Sequence, residues 1–160
     1  MLDLEKVKKI YFIGIGGVGM SAAAGIAALQ GFEVSGSDSK EVYDPAKSVL
    51  DSNDIIYFTG YSQANIEQSQ ADLYIASAGE GMENPEIAFV RNNDLPLHSL
   101  SELLGVLATD KFRVVVAGTH GKSTTAGMLG VALKHIDDSS FMTGAILQQE
   151  QTNFHVGQGH

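Results

Sequence analysis

Two glycine-rich segments constrain the fold of this chain more than any other feature of its sequence. IYFIGIGGVGMSAAAGIAAL at residues 10–29 and VVVAGTHGKSTTAGML at residues 114–129 each run from an apolar stretch through glycines into a helical pattern. A glycine loop between a strand and a helix is a common phosphate-binding arrangement in α/β proteins. The 160 residues have room for one ordinary domain and a remainder, so two complete nucleotide-binding domains do not fit.

The order of apolar runs and helical patterns predicts an α/β fold with two parts. Strands are predicted at residues 10–13, 33–36, 55–58, 73–77 and 96–98, and helices at 18–30, 45–51, 85–92 and 99–107, with a short turn near 64–68. This alternation predicts a Rossmann-like parallel sheet with helices on both faces, formed by residues 1–107. Residues 108–111 break the apolar pattern and are predicted to be a linker.

Residues 112–160 are predicted to be the incomplete start of a second domain. A strand at 112–117 leads into the second glycine loop, and a helix at 122–135 and a short strand at 141–143 follow it. The tail is rich in Gln and Gly and shows no terminating element, so we expect the protein to continue beyond it. Without the rest of its sheet, this part is expected to hold its apolar face loosely or to pair it with a neighbouring molecule.

The first glycine loop follows the GxGxxG pattern of dinucleotide-binding folds. Gly14 permits a tight turn, Gly16 allows the backbone to approach a pyrophosphate, and Gly19 allows the helix to pack closely on the strand. Asp38 ends the second predicted strand, where an acid usually binds a ribose hydroxyl, and taken alone it favours NAD. Two structural alternatives stay open: the loop is a plain turn, and Asp38 is a loop residue that caps the next turn.

The GTHGKST segment contains the GK[ST] core of a second phosphate-binding loop. Val116 stands where a full Walker A motif has its first glycine, so the loop is a shorter one that begins at Gly118. Lys122 would neutralise the β and γ phosphates of ATP, Ser123 would ligate Mg²⁺, and Thr124 would hold a further phosphate oxygen. The acids after this loop are Asp137, Asp138 and Glu150, and none follows a predicted apolar strand. Because such an acid must hold the metal or its water, we expect that this chain alone does not turn over ATP.

The charge balance excludes polyanionic partners. Ten basic and 19 acidic residues give a net charge of −9, which repels nucleic acids and anionic membrane surfaces. Any phosphate ligand must therefore be held locally, by backbone N–H groups and helix N-termini. The absence of cysteine excludes disulfides, cysteine-ligated zinc and a thiol nucleophile. Since MLDLEKVKK lacks the apolar run of a signal peptide and no stretch approaches the ~20 apolar residues of a membrane span, we expect a cytoplasmic protein.

The order of the two loops resembles the Mur ligases, the family that builds the peptide of bacterial cell-wall precursors. The resemblance covers essentially the whole chain and rests on IGIGGVGMS, VSGSD, SAGEGMENPEI, LPLHSLSELL and AGTHGKSTTAGM. In that family the first loop binds the diphosphate of a UDP-sugar instead of NAD, and the second loop binds ATP. The resemblance implies that a muramate carboxylate attacks the γ-phosphate of ATP and that an amine then captures the acyl phosphate. It also implies that the carboxylate metal ligands and the amine-binding residues lie beyond residue 160.

The resemblance assigns roles to particular residues. Lys122 is expected to stabilise phosphoryl transfer and Ser123 to bind Mg²⁺, with His120 near the phosphates. The residues expected to bind ATP are Gly118, Thr119, Gly121, Lys122, Ser123 and Thr124. The residues expected to bind the UDP-sugar are Gly14, Gly16, Gly17, Val18, Gly19, Met20, Ser37, Asp38, Tyr61, Ser77 and Ala78. ATP and Mg²⁺ are the implied cofactors, and UDP-N-acetylmuramate and L-alanine are the implied substrates.

Several alternatives stay open. Within the family, a recycling ligase attaches a ready-made tripeptide to the same nucleotide sugar, and Tyr61 and AGTHGKSTTAGM are more like that enzyme. Alanine-adding members more often carry a His at the position of Tyr61, close to the uridine, whereas IGIGGVGMS and ENPE favour them. Tyr61 is alternatively an ordinary exposed loop residue. Outside the family, an NAD-dependent oxidoreductase module leaves GTHGKS unexplained, and a non-enzymatic nucleotide-binding module is compatible with the missing acid. The oligomeric state, including a homodimer, is open.

Overall fold

The computed structural model describes residues 2–109 and 111–159. The chain divides into two compact units, residues 1–107 and residues 108–160. Within the described residues, no helix is both long enough and apolar enough to cross a membrane.

The first unit is a five-stranded parallel sheet with helices on both faces. Its strands are β1 Lys9–Ile13, β2 Glu33–Asp38, β3 Ile56–Thr59, β4 Leu73–Ala76 and β5 Leu97–Ser99. Its helices are α1 Val18–Leu29, α2 Ala46–Ser52, α3 Gln63–Ser69, α4 Pro85–Asn92 and α5 Leu100–Leu107. The strand order is β3-β2-β1-β4-β5, with parallel pairing throughout. The predicted Rossmann-like α/β fold is confirmed.

Strand β1 forms the centre of this unit. Ile10, Tyr11, Phe12 and Ile13 are all fully buried. Because side chains alternate along a strand, Ile10 and Phe12 pack with the apolar sides of α1, α2 and α5, whereas Tyr11 and Ile13 pack with α3 and α4. Burial on both faces is expected of a central parallel strand. The glycine loop after Ile13 therefore starts from the most firmly held part of the sheet.

Residues 63–69 form a short helix, although the sequence predicted only a turn in this region. Ser62 caps α3, because its hydroxyl oxygen accepts a hydrogen bond from the backbone N–H of Asn65 at 3.4 Å. Ile66 is the buried anchor of the helix. A single apolar anchor in seven residues is too little periodicity for a sequence pattern to show, so the helix depends on its cap and on packing.

The second unit contains α6 Lys122–Asp137 and an antiparallel hairpin of β6 Phe141–Leu147 and β7 Thr152–His155. Gly127 and Gly130 lie three residues apart, on one side of α6, and both are buried. A Cβ at Gly127 would lie 2.6 Å from Leu147 Cδ2, and one at Gly130 would lie 2.7 Å from Phe141 Cγ. These two glycines therefore allow the helix to pack directly on β6.

The second unit differs from the sequence prediction in two places. Residues 112–117 form no strand, and Phe112 and Val115 are 84% and 85% exposed. A strand exists only with a pairing neighbour, and within the described residues the sheets of this protein do not include this segment. The tail contains a strand that was not predicted, β7, which pairs with β6. Its sequence Thr-Asn-Phe-His has one large apolar residue, so its strand signal was weak.

Candidate functional site

The first glycine loop joins β1 to α1 at the carboxyl end of the parallel sheet. Gly14 has a φ of +82°, and a Cβ there would lie 2.9 Å from the Cβ of Ser77. Only glycine satisfies both the backbone conformation and the close approach of the end of β4, which confirms Gly14 as the tight-turn residue. Helix α1 begins after Gly17 and has no side-chain cap. Its N-terminus therefore offers the positive end of a helix dipole without a competing side-chain oxygen.

The end of β2 holds the first part of this loop. The carbonyl oxygen of Ser37 accepts hydrogen bonds from the N–H groups of Gly14 and Ile15, each at 2.9 Å. The Oδ2 atom of Asp38 accepts the next N–H, that of Gly16, at 2.8 Å. A Cβ at Gly16 would lie 2.7 Å from this same oxygen. In this structure the crowding at Gly16 thus comes from Asp38, and pyrophosphate approach at Gly16 stays a prediction.

A cleft of about 420 Å³ lies where the strand order reverses, between the ends of β1 and β4. Its lining residues are Gly17, Gly19, Met20, Ser77, Ala78, Ser99, Leu100, Ser101 and Leu104. In open α/β sheets, ligands bind in the crevice at this reversal point. The start of α1, which has no side-chain cap, lines the cleft, and a free helix N-terminus favours an anion.

A capping box forms the α5 side of the cleft. The Ser99 N–H donates to Glu102 Oε2 at 2.8 Å, and the Glu102 N–H donates back to Ser99 Oγ at 3.3 Å. The hydrogen bonds from the Ser99 N–H and hydroxyl, with a further one from His98, lower the pKa of Glu102 to about 2. Ser99 therefore caps α5. Its carboxylate partner stays ionised over the whole physiological pH range.

A second cleft, of about 570 Å³, adjoins the first at the ends of β4 and β5. The two clefts share Ser77, Ala78 and Ser99. The second one adds charged side chains of both signs, among them Arg91, His98, Glu80 and Glu102. The two clefts form one continuous crevice, with an apolar and backbone-lined part beside α1 and a charged part beside α4.

A buried carboxylate, that of Glu86, is hydrogen-bonded to Ser37 at the end of β2, next to the glycine loop. Glu86 is fully buried in the first turn of α4, whose N-cap is Asn84 and whose first residue is Pro85. Its Oε2 accepts a hydrogen bond from Ser37 Oγ at 2.5 Å. Its Oε1 accepts three more, from Tyr11 OH at 3.4 Å, the Ser62 N–H at 3.1 Å and Asn65 Nδ2 at 2.7 Å.

The environment of Glu86 favours its neutral form. Burial raises the pKa of this carboxyl, although hydrogen bonds from Ser37 and Asn65 act in the opposite direction. Among the titratable groups of the described residues, Tyr11 faces it most directly, and burial raises the pKa of that phenol as well. No sequence pattern indicates this network, because Asn-Pro-Glu marks only a helix start.

Tyr61 lines neither cleft, but it contacts Glu80, which lines the second one. It is partly buried against the cluster of Tyr11, Ile13 and Tyr74, and its OH donates to Glu80 Oε1 at 2.6 Å. Burial and this hydrogen bond raise the pKa of Tyr61. The alternative of an ordinary exposed loop tyrosine is therefore wrong. A contact of Tyr61 with uridine stays a prediction.

The second glycine loop lies in the second unit, and residues 118–122 are exposed to solvent. Gly118 and Gly121 have φ values of +152° and +76°, and Gly121 is the residue before α6. The Lys122 ammonium donates to the carbonyl oxygens of Gly118 at 2.7 Å and Thr119 at 3.2 Å, so its side chain curls over the loop. His120 in the loop and Thr124 in the first turn of α6 are exposed.

Ser123 is the only predicted metal ligand among these residues, and it is partly buried. A Cβ at Gly144 would lie 3.1 Å from its hydroxyl oxygen, so β6 passes close to the first turn of α6. In residues 2–109 and 111–159, no group of three or more His, Asp or Glu side chains is arranged to hold a metal ion. Glu150, one of the three acids after the loop, forms an ion pair with Lys134. Ser123 would therefore need ligands from outside these residues to bind Mg²⁺.

The predicted UDP-sugar residues fall into three groups. Gly17, Gly19, Met20, Ser77 and Ala78 line the cleft. Gly14, Gly16, Ser37 and Asp38 hold the loop from β1 and β2. Val18 begins α1, and Tyr61 lies with Glu80. The structure adds Ser99, Ser101 and Leu104, which the sequence analysis had placed in a helix without a role at the site.

Comparison with known proteins identifies the family. The model of the Mur ligase family, catalytic domain, matches residues 9–112, which include the sheet, the glycine loop and both clefts. The chain belongs to the Mur ligase family. This membership confirms the resemblance found in the sequence.

Curated relatives of this chain include alanine-adding Mur ligases. The UDP-N-acetylmuramate--L-alanine ligase of Clostridium perfringens is 39% identical over 152 residues, which are 94% of this chain and 32% of that protein. The corresponding ligase of Caldicellulosiruptor bescii is 35% identical over 153 residues, which are 94% of this chain and 33% of that protein. The chain thus spans about a third of the length of these relatives.

Solved structures of Mur ligases share the fold of this chain. The UDP-N-acetylmuramate:L-alanyl-gamma-D-glutamyl-meso-diaminopimelate ligase (MPL) of Neisseria meningitides matches with a TM-score of 0.87 and 32% identity, over 95% of this chain and 47% of that one. The UDP-N-acetylmuramate-alanine ligase MurC of Thermotoga maritima matches with a TM-score of 0.83 and 33% identity, over 94% of this chain and 35% of that one. Both the alanine-adding and the tripeptide-adding members therefore have the same architecture here.

Proposed function

We propose that this chain is the N-terminal part of an ATP-dependent UDP-N-acetylmuramate--L-alanine ligase of peptidoglycan synthesis. In this proposal, residues 1–107 bind UDP-N-acetylmuramate, residues 108–111 are a linker, and residues 112–160 begin the ATP-binding domain. The observation that carries the proposal is the cleft between the glycine loop and the start of α5, at the strand-order reversal of a Mur ligase sheet. The similarity to alanine-adding relatives supports L-alanine as the second substrate.

The cleft suits a diphosphate. The N–H groups of Gly14, Ile15 and Gly16 are engaged by β2, so a phosphate would interact with the loop farther on, near residues 17–20. The backbone of Gly17 and Gly19 lines the cleft without side chains, and the dipole of α1 adds positive potential. A protein with a net charge of −9 needs such a local source of attraction for a dianionic ligand.

The second loop suits the phosphates of ATP. Lys122 already holds its ammonium over the carbonyl groups of Gly118 and Thr119, where an incoming phosphate would be a better partner for a cation. Gly121 and the first turn of α6 would supply backbone donors, and Ser123 would supply one ligand to Mg²⁺. Mg²⁺ would polarise the γ-phosphate, and His120 is proposed to lie near it. ATP as a substrate places the reaction in the cytoplasm.

Calorimetric titration of the chain with UDP-N-acetylmuramate, and in parallel with NADH, tests the first half of the proposal. We expect heat from the UDP-sugar and none from NADH; binding of NADH alone would refute the assignment. Gly17→Val should weaken UDP-sugar binding at least tenfold, because the new side chain projects into the cleft. The backbone at Gly17 suits valine, with φ −67° and ψ 142°, and the nearest atom to a Cβ there is 3.7 Å away. Gly105→Ala, in open space on α5, is the matched control and should bind normally.

A coupled assay for ADP release tests the second half. We expect the chain alone to bind Mg·ATP through residues 118–124 without turning it over, because Ser123 lacks carboxylate partners for Mg²⁺ among the described residues. Lys122→Ala should abolish nucleotide binding, whereas Lys134→Ala, which removes a cation from the other half of α6, should not. ADP release by this chain at an enzyme-like rate would contradict this assignment of the second unit.

The tripeptide-adding recycling ligase is the second candidate. The match to the enzyme of Neisseria meningitides, with a TM-score of 0.87, supports it as well as the alanine-adding one. The two share the UDP-sugar and ATP and differ in the amine, so binding by residues 1–107 does not separate them. The two candidates are separated by comparing the activity of the full-length protein with L-alanine and with L-alanyl-γ-D-glutamyl-meso-diaminopimelate.

A further inference from the structure

We propose that Asp38 serves the UDP-sugar site as a positioning residue, which holds the glycine loop through the Gly16 N–H instead of binding the ribose. The proposal rests on the proposed UDP-sugar function of this cleft and adds a role for one residue. An acid at the end of β2 in a dinucleotide fold usually binds the ribose hydroxyls. Here Asp38 Oδ2 is already bonded to the loop, at 2.8 Å from the Gly16 nitrogen.

The contact between Asp38 and Gly16 is the third of three successive hydrogen bonds between the end of β2 and the glycine loop. The Ser37 carbonyl oxygen holds the N–H groups of Gly14 and Ile15, and Asp38 holds the next one, so β2 engages three consecutive amides of the loop. These hydrogen bonds follow from the strand register, since Ile13 pairs with Ser37 in the parallel ladder. The loop therefore has a fixed shape up to residue 16. The residues that follow, Gly17, Gly19 and Met20, line the cleft.

The position of the carboxylate is also fixed from its other side. Ser39 Oγ donates to Asp38 Oδ1 at 3.3 Å, and the Gly60 N–H donates to the Asp38 carbonyl oxygen at 2.7 Å. A Cβ on residue 16 would collide with Oδ2 at 2.7 Å, so glycine at position 16 and the acid at position 38 fit each other. A carboxylate bonded to a backbone N–H forms a charge-assisted hydrogen bond, which is stronger than a neutral one.

The test combines two variants with two ligands. Asp38→Ala removes the acceptor, and Asp38→Asn keeps an oxygen at the same place. Affinity is measured by calorimetry for UDP-N-acetylmuramate and for its analogue with a 2′,3′-dideoxyribose. If Asp38 positions the loop, Asp38→Ala weakens both ligands by the same factor, about tenfold, as expected for loss of one hydrogen bond to a charged group. Asp38→Asn should recover most of the affinity for both.

Asp72 provides a matched control. Its Oδ2 accepts the N–H groups of Lys8 and Lys9, each at 2.9 Å, so it performs the same kind of backbone bonding at the opposite end of β1. Asp72→Ala should lower stability without changing the affinity for either ligand. An Asp38→Ala penalty that vanishes with the dideoxy analogue would show a direct ribose contact and overturn the proposal. Unchanged affinity for both ligands would overturn it too.

A ligand-free measurement separates this inference from the proposed function. Amide hydrogen exchange followed by NMR should show Gly16 protected in the wild-type chain and in Asp38→Asn, and at least tenfold faster in exchange in Asp38→Ala. If wild-type protein does not bind the UDP-sugar but Gly16 behaves in this way, the ligand assignment fails and the loop-holding role of Asp38 stands. Equal exchange at Gly16 in all three proteins refutes the loop-holding role, whatever the ligand results.

Discussion

The buried carboxylate of Glu86 offers the sharpest test of how this fold holds its site. Glu86→Ala removes the acceptor of four hydrogen bonds, from Tyr11, Ser37, Ser62 and Asn65. A buried donor left without a partner costs about 1–3 kcal/mol, and the four costs are not additive because water and side-chain rotation satisfy some of them. We expect a loss of about 3–5 kcal/mol, a large part of the stability of a small domain.

Glu86→Gln should behave quite differently. The amide oxygen can accept the three hydrogen bonds now made to Oε1, and the amide nitrogen can donate to Ser37 Oγ. Glutamine is neutral at every pH and carries no charge to bury, so we expect a loss below about 1 kcal/mol at neutral pH. The two variants together separate the value of the hydrogen bonds from the cost of the charge.

The pH dependence of Glu86→Gln follows from the raised pKa of Glu86. The unfolded carboxyl ionises near its ordinary value of 4.5, whereas the folded one keeps its proton to higher pH. Between these two values the folded state binds more protons, so the stability of the wild type falls as pH rises through this window. Glutamine does not titrate and lacks this fall. The stability difference between wild type and Glu86→Gln should therefore be larger at pH 4 than at pH 7.

Urea unfolding followed by tyrosine fluorescence measures these effects in the first unit alone, because the chain has no tryptophan and its five tyrosines all lie within residues 1–107. Glu83→Ala, at an exposed acid of the preceding loop, is the control and should change stability little. Two results would refute the reasoning: a cost of Glu86→Ala below about 1 kcal/mol, and an identical pH slope for wild type and Glu86→Gln.

Three further predictions concern close contacts and a cap. Gly36→Ala should cost about 2–3 kcal/mol in urea unfolding, since its Cβ would lie 2.5 Å from the Phe12 carbonyl oxygen; a neutral effect would mean that the two strands separate easily. Gly130→Ala should lower the thermal stability of the second unit despite the better helix propensity of alanine, because its Cβ would meet the Phe141 ring at 2.7 Å; calorimetry would show a rise in melting temperature if helix propensity dominates. Ser99→Ala should cost about 1 kcal/mol of stability and raise the pKa of Glu102 from about 2 toward its ordinary value. NMR titration of the carboxyl group measures this pKa, and an unchanged value would show that the capping box does not lower it.

The parallel sheet was predictable because its signals are local. Apolar runs such as residues 10–13 and the helical patterns between them alternate regularly, and this alternation permits few other folds. The strand at residues 112–117 was predicted by the same rule and does not form. Its apolar pattern is real, but pairing depends on a neighbouring strand, and that information is not in the segment. β7 was missed for the opposite reason, since its pairing with β6 compensates for a weak local pattern.

The candidate site was predictable only where a residue acts through its own backbone. Gly14 and Gly17 occupy the turn and helix start that the GxGxxG pattern indicates. The partner of Asp38 was not predictable, because its bond to Gly16 spans 22 residues and depends on the register of β1 with β2. The position of Glu86 in Asn-Pro-Glu indicates only an acid in the first turn of a helix. Its bond to Tyr11 spans 75 residues, and its burial follows from how α4 packs on the sheet.

The contacts at the end of β2 also bear on the NAD-dependent alternative. A dehydrogenase-like ligand would place its adenosine ribose against the Asp38 carboxylate. Oδ2 of this carboxylate holds the Gly16 N–H and Oδ1 accepts a hydrogen bond from Ser39 at 3.3 Å, so a ribose hydroxyl would have to bind Oδ1, beside Ser39 or in its place. A ligand that places only its diphosphate against residues 17–20 makes no such demand. The contacts of Asp38 therefore fit such a ligand without rearrangement, and the argument against NAD rests on the family match.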